Sequence, residues 1–313
     1  MISVTVPVYN EAEALPILAE RVTNVLTQLG QSWELIFIND GSQDGSEEVL
    51  DGLAEKNPSI KVVHFRRNYG QTAAMMAGFD YAQGDVIIPM DGDLQNDPSD
   101  IPKMLTKIEE GFDVCSGWRK DRQDNALQRN IPSIMANRLI SFVSGVRLHD
   151  FGCSLKAYRA EVVQGLRLYG ELHRFIPVLA HYRGHRVAEL PVNHRPREHG
   201  RSRYGVERYV RGFLDLLTVS FIGRYRYRPL HLFGGLGLAL GAIGLGILLY
   251  LTIDKLLGNA IGQRPLLILG VLMVVVGLQF FSLGLISELI TSQHEERAGT
   301  RERTERDVEE VLS

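Results

Sequence analysis

Residues 85–98 read Asp85-Val86-Ile87-Ile88-Pro89-Met90-Asp91-Gly92-Asp93-Leu94-Gln95-Asn96-Asp97-Pro98. A short apolar run ends on two carboxylates, and Gly92 between them lets the backbone turn tightly. Such a pair at a strand mouth can hold a hard divalent cation, because these ions prefer oxygen ligands. An isolated Asp-x-Asp also occurs as a solvated turn before a helix. The flanking segments decide between the two readings.

Upstream, short apolar runs alternate with amphipathic ones. The pattern predicts strands over Ile2–Val8, Glu34–Ile38, Lys61–Phe65 and Asp85–Met90. Helices are predicted over Glu13–Leu29, Ser46–Lys56 with Ser46 as cap, and Thr72–Ala82. This alternation implies an α/β fold with a mostly parallel sheet covered on both faces. Ligands of such sheets bind beyond the carboxyl ends of the strands. Three strands end in polar clusters: Tyr9-Asn10-Glu11, Asn39-Asp40-Gly41-Ser42 and Asp91-Gly92-Asp93. Three such clusters on one rim favour a binding site over a solvated turn.

The chain has 313 residues and a net charge of -3, so bulk charge gives no reason to expect a nucleic-acid partner. Leu230–Ile253 and Leu266–Ser287 lack Asp, Glu, Lys and Arg, and each is long enough to cross a bilayer. Met1 leads directly into a strand without a signal-peptide pattern. Arg211, Arg224, Arg226 and Arg228 flank the first span, whereas the loop between spans carries only Lys255 and Arg264 with Asp254. The positive-inside rule then places the N-terminal domain and both termini in the cytoplasm. Cys115 and Cys153 fit neither a disulfide framework nor a zinc site, which agrees with a reducing compartment. Gly237 and Gly241 form a small-residue face on the first span, expected to pack between subunits of a homo-oligomer. Ile131–Val146 and Tyr204–Tyr227 read as amphipathic helices; the second, next to a span and rich in Arg, is expected at the membrane surface. Glu295–Glu310 alternates charges and reads as a solvated helix or a disordered tail.

No Gly-x-Gly-x-x-Gly follows the first strand, and no Gly-x-x-x-x-Gly-Lys-Ser/Thr loop is present. A dinucleotide fold and a P-loop nucleotidase are therefore set aside. Val6-Pro7-Val8-Tyr9-Asn10-Glu11, Asn39-Asp40-Gly41-Ser42 with Asp44-Gly45-Ser46, and Asp91-Gly92-Asp93 together resemble the family-2 glycosyltransferases. Further runs resemble the polyprenyl-phosphate branch of that family. They are Arg66-Arg67-Asn68-Tyr69-Gly70-Gln71, Leu94-Gln95 with Asp97-Pro98, Gly117-Trp118-Arg119, Arg129 with Ser133 and Asn137, Asp150-Phe151-Gly152-Cys153-Ser154, and Gly200-Arg201-Ser202-Arg203-Tyr204. The resemblance covers residues 1–225, and the two spans resemble the bactoprenol glucosyltransferases in architecture.

The resemblance implies a GT-A nucleotide-diphospho-sugar transferase domain, followed by interfacial amphipathic helices and two transmembrane helices. The expected divisions are 1–203 for the catalytic domain, 204–229 for the juxtamembrane helices, 230–290 for the spans and 291–313 for a charged tail. It also implies an inverting, metal-dependent enzyme. Asp91, Asp93 and Gln95 would hold Mg²⁺ or Mn²⁺, and such a cation would offset charge on the departing diphosphate. Pro7, Tyr9, Glu11, Asp40 and Asp91 would surround the donor base and ribose. Arg201, Ser202 and Arg203 would close over its pyrophosphate from a loop beginning near His194. Arg119, Arg129 and Ser133 would grip the acceptor phosphate, since Arg binds phosphate bidentately. Asp150, the family's acidic residue near the acceptor, would orient the sugar or hold an Arg. A phosphate monoester is already ionised at neutral pH, with a second pKa of about 6, so the attack needs no strong base.

The expected substrates are UDP-glucose and undecaprenyl phosphate at the cytoplasmic membrane face. GDP-mannose, UDP-N-acetylhexosamine and UDP-aminoarabinose remain alternative donors. A processive polysaccharide synthase is disfavoured by the missing Gln-x-x-Arg-Trp motif and the small number of spans. A non-catalytic membrane scaffold is disfavoured by intact Asp91, Asp93, Gln95 and Arg129.

Overall fold

Among the described residues, seven strands form one sheet in the order β3-β2-β1-β4-β6-β5-β7. The computed structural model describes residues 1–120, 137–138, 140–141, 144–166, 168–195, 218, 221, 228–261 and 265–312, with 294–312 described as backbone only. In chain order the strands are β1 (Ile2–Val8), β2 (Trp33–Asn39), β3 (Ile60–His64), β4 (Val86–Pro89), β5 (Val114–Trp118), β6 (Lys156–Arg159) and β7 (Val187–Pro191). Only β6 runs against the others, pairing antiparallel with both β4 and β5. The helices of this part are α1 (Leu15–Gln28), α2 (Ser46–Lys56), α3 (Gln71–Tyr81), α4 (Ile101–Glu109), α5 (Ala160–Val163) and α6 (Ile176–Tyr182).

The strands and helices predicted over residues 2–90 lie within two residues of the observed ones. β1 is buried along nearly its whole length because helices cover both faces of the sheet. On one face Val4, Val6, Leu35 and Phe37 pack with Leu15, Leu18 and Leu26 of α1 and with Ile101 and Met104 of α4. On the other, Ile36, Ile38 and Ile87 pack with Ala74, Met75 and Phe79 of α3 and Ile176 of α6. Gly78 lets α3 approach closely, since a Cβ there would stand 3.0 Å from the Thr5 Cβ.

Ser46 is not the cap of α2. Gly45, at φ 87, occupies that position, and the Asp44 carboxylate accepts the Ser46 N–H at 3.1 Å and the Ser46 hydroxyl at 2.5 Å. Asp44 thereby receives an orphan donor of the first helical turn, the job expected of Ser46. Burial alone would raise the Asp44 pKa. Bonds from Ser46 and from the Ala12 N–H outweigh that and hold it below the usual carboxylate value.

The chain divides into two compact units, Met1–Ser220 and Phe221–Ser313. The second contains α7 (Pro229–Leu256) and α8 (Pro265–Leu312), whose backbone stays helical through the charged tail. Pro229–Leu256 and Pro265–Gln293 are long and apolar enough to cross a membrane, with mean hydropathies of 2.2 and 2.6. Their most apolar windows are only 17% and 11% buried, so they are not core helices of a soluble domain. Leu238, Leu249, Ile268 and Leu278 are exposed, as lipid-facing residues would be.

Part of the glycine face packs within the chain. A Cβ on Gly237 would stand 2.6 Å from the Gly277 carbonyl oxygen, and one on Gly244 would stand 2.8 Å from that of Gly270. The two helices of one chain thus approach through Gly237 and Gly244. A Cβ on Gly241 would meet nothing within 4 Å.

Candidate active site

The parallel order β3-β2-β1-β4 places the carboxyl ends of β1, β2 and β4 side by side. The chain winds outward from β1 through β2 to β3, then returns to the other side of β1 with β4. Such a reversal of strand order opens a crevice at the carboxyl rim. Asp91-Gly92-Asp93 follows β4 into this crevice, and a Cβ on Gly92 would stand 3.5 Å from the Pro7 carbonyl oxygen. Pro7, Tyr9, Glu11, Asp40, Asp91, Asp93 and Gln95 all lie on this rim or in the loops that leave it.

The loops after β1 and β2 interlock. The Asn10 N–H donates to the Ser42 hydroxyl at 3.0 Å, and the Gln43 N–H donates to the Asn10 side chain at 2.8 Å. The Glu11 N–H donates to Ser46 at 3.2 Å, and the Ala12 N–H to Asp44 at 3.1 Å. Asn10 adopts φ 58, a left-handed conformation that asparagine tolerates better than most residues. Asp40 is buried, and its two carboxylate oxygens accept the N–H groups of Tyr69 at 2.6 Å and Gly70 at 2.9 Å. It therefore anchors the loop before α3 whatever else it contacts. Gly41, at φ 67, cannot carry a side chain, because a Cβ would stand 2.6 Å from the Arg67 backbone.

Gln71, at the start of α3, donates to Asp91 Oδ1 at 2.9 Å. The sequence pattern assigns it no role, although its place in the segment that follows β3 is a usable signal. Asp93 accepts the Gln95 N–H at 3.2 Å, a local turn that Leu94 completes at φ 62. The Gln95 amide donates to the Arg195 carbonyl at 3.4 Å, which leaves the amide oxygen for another partner. Two carboxylates and one amide oxygen suit Mg²⁺ or Mn²⁺ better than a thiophilic metal.

The segment that enters the expected closing loop is tied to this turn. Asn96 and His194 form an antiparallel bridge, and the Arg195 N–H donates to the Gln95 carbonyl at 2.9 Å. Arg195 also pairs with Asp97 at 2.7 Å. Burial would raise the Asp97 pKa, but the Arg195 bond and the Ser99 N–H hold it below the usual range. Residues His194 and Arg195, read as loop in the sequence, are thus anchored.

Arg119 and Asp150 form a bidentate pair, with Nε to Oδ2 at 2.7 Å and Nη2 to Oδ1 at 3.0 Å. Their side chains are 14% and 9% exposed, so the pair is largely shielded from water. Burial works against the Arg119 charge, yet the Asp150 bonds and the pull of Asp91 raise its pKa above the ordinary guanidinium value. Of the two readings for Asp150, the structure shows the one in which it holds an arginine. Arg129, Ser133, Arg201, Ser202 and Arg203 lie outside the described residues, as do most of the two expected amphipathic helices.

A second group, Asp113, Glu161 and His185, brings its ligand atoms within 4.8 Å of one another. It lies at the amino ends of β5 and β7, the edge opposite the acidic rim. Asp113 is already bonded by the Arg186 N–H at 2.7 Å and faces Arg159 at 3.4 Å. It is not part of the constellation around Asp91.

A model of glycosyl transferase family 2 matches residues 3–167, more than half of the chain. The chain belongs to glycosyl transferase family 2. It is 46% identical over 294 residues to the dodecaprenyl-phosphate galacturonate synthase of Rhizobium johnstonii, covering 92% of this chain and 87% of that protein. It is 38% identical over 292 residues to the undecaprenyl-phosphate 4-deoxy-4-formamido-L-arabinose transferase of Salmonella typhimurium, covering 92% and 88%. The glucosyl-3-phosphoglycerate synthase of Mycobacterium tuberculosis, solved with Mn²⁺ and UDP-glucose, superposes with a TM-score of 0.56 at 16% identity. That match covers 70% of this chain and 79% of the other, and it shows a shared fold. The protein is a glycosyltransferase with a GT-A-like sheet and two apolar C-terminal helices.

Proposed function

We propose that this glycosyltransferase moves one sugar from a nucleotide-diphosphate donor to a polyprenyl phosphate at the membrane surface. The observation that carries the reading is the buried Arg119–Asp150 clamp beside the Asp91–Gln95 turn on one rim. It fits a reaction between two phosphorylated substrates. Both relatives described above are named for sugar transfer to a polyprenyl phosphate and align along nearly their whole length, which supports the acceptor class.

The acceptor oxygen attacks the anomeric carbon with inversion, and the bond to the donor diphosphate breaks. A phosphate with its second pKa of about 6 is already an anion at neutral pH, so no side chain must remove a proton. Arg119, joined by Arg129 and Ser133, fixes the acceptor phosphate; Asp150 fixes Arg119. Tyr9, Glu11 and Asp40 hold the nucleoside, and Arg201, Ser202 and Arg203 close over the diphosphate. Asp91, Asp93 and Gln95 hold Mg²⁺ or Mn²⁺, which when bound offsets charge developing on the leaving diphosphate. The catalytic part, residues 1–203, and both termini lie on the cytoplasmic side. Residues 204–229 lie at the interface, 230–290 span the bilayer and 291–313 form the tail.

Glucose is the sugar expected from the sequence, but the two relatives carry galacturonate and formamido-arabinose. The 46% identical relative makes UDP-galacturonate the first donor to test, with UDP-glucose and a UDP-aminoarabinose derivative beside it. Membranes containing the protein are incubated with Mg²⁺ or Mn²⁺, a polyprenyl phosphate and each labelled donor. Label in the lipid phase from one donor supports the reading and names the sugar. No lipid label from any donor, with active protein controls, refutes it.

A further inference from the structure

We propose that Lys156 and Glu189 are positioning residues that hold the loop 149–153 from its two ends and so set the Arg119–Asp150 clamp. The inference rests on the acceptor role proposed for Arg119. Ser116 of β5 is in register with Lys156 of β6 on one side and with Glu189 of β7 on the other. Side chains in one register row share a face of the sheet, so the three form a row across it. Ser116, at its centre, is buried, and its hydroxyl has no hydrogen-bond partner among the described residues. Lys156 and Glu189 stand two strands apart in this row, roughly 10 Å at about 4.8 Å per strand, and among the described residues they do not pair with each other.

Each charge instead reaches the backbone of the same loop. Glu189 accepts the His149 N–H at 2.8 Å, the His149 ring at 2.7 Å and the Asp150 N–H at 3.1 Å. Lys156 donates to the carbonyl oxygens of Phe151, at 3.3 Å, and of Cys153. An anion collects the donors at the start of the loop, and a cation collects the acceptors at its end. The side chain fixed between them is Asp150, whose Oδ1 also accepts the Gly152 N–H at 3.0 Å. Beyond Cys153, Ser154 accepts the Asn96 amide at 2.8 Å, which joins this loop to the turn carrying Asp93 and Gln95.

Lys156 is 3% exposed, and no carboxylate lies within salt-bridge distance of it among the described residues. A buried ammonium without a carboxylate partner is costly, and a methionine would fill the same space without that cost. The charge serves the carbonyls it holds.

The test uses the full-length protein in detergent. It reads KM for each substrate and the reactivity of Cys153 toward a water-soluble disulfide reagent. Lys156→Met is expected to raise KM for the polyprenyl phosphate by about tenfold or more, as loss of a charge-assisted bond predicts, with donor KM unchanged. Cys153, whose carbonyl Lys156 holds, is expected to become reactive. Glu189→Gln, a milder change, is expected to move the same two readouts in the same direction should Lys156→Met fail to fold. Unchanged acceptor KM with a protected Cys153 would overturn the proposal. So would equal losses for donor and acceptor. Wild-type protein that labels no lipid overturns the proposed function instead, and Cys153 reactivity still decides whether Lys156 holds the loop.

Discussion

Replacing Asp150 by Asn separates two roles that a carboxylate beside an acceptor can play. The substitution keeps the shape and removes the charge facing a guanidinium that is only 14% exposed. Two charge-assisted bonds at 2.7 and 3.0 Å are weakened together. Removing one partner of a buried pair costs about 3 kcal/mol, because the other charge is left uncompensated. Part of that loss falls on Arg119 in the resting protein, and about 2 kcal/mol is expected to appear as weaker acceptor binding. That corresponds to roughly a thirtyfold rise in KM for the polyprenyl phosphate. A clamp predicts that kcat at saturating acceptor stays within about fivefold, whereas loss of a general base lowers it by about 10²–10⁴. Steady-state transfer assays over a range of acceptor and donor concentrations give both numbers. Arg119→Gln and the double variant complete a cycle, and a coupling of about 2 kcal/mol is expected. Additive effects, or a collapsed kcat with unchanged acceptor KM, would refute the clamp.

Asp93→Ala is expected to abolish transfer while the protein stays folded, checked by its thermal unfolding; unchanged turnover would remove it from the cation site. Cys115 and Cys153 are buried, and burial pushes their thiols up to about 12 and about 11, so native protein at pH 8 should give no reaction with a disulfide reagent. Gly237→Leu is expected to destabilise the helix pair by about 2 kcal/mol through overpacking against Gly277, whereas Gly241→Ala, with open space at its Cβ, should be near neutral in the same unfolding assay. Burial would raise the Glu34 pKa, but bonds from Lys61, Ser3 and the Gln83 N–H hold it below the ordinary glutamate value. A depressed folded pKa stabilises above the unfolded value and is lost as pH falls through the folded one. Glu34→Gln should therefore narrow the stability difference between pH 7 and pH 3, and an identical pH profile would contradict the assignment.

What could be read from the sequence follows from local and periodic signals. Apolar runs bounded by polar clusters marked β1, β2 and β4 and put Tyr9, Asp40, Asp91 and Asp93 at strand ends, because a parallel sheet sends all its carboxyl ends to one rim. Uninterrupted apolar length marked the two candidate spans, since a helix of fixed rise must match the bilayer. Tertiary structure alone decided the partners. Asp40 meets Tyr69 and Gly70, Gln71 meets Asp91, and Arg119 meets Asp150 across 29 to 31 residues or 20 for the middle pair. Such contacts depend on which strands become neighbours, and β6 entering between β4 and β5 leaves no periodic trace. The same insertion puts Lys156 and Glu189 on either side of Ser116. The glycines of the first span announced a close helix contact, but only the folded chain showed that the partner is its own second helix. Residue type and spacing carry chemistry and local geometry; the identity of a neighbour is a property of packing.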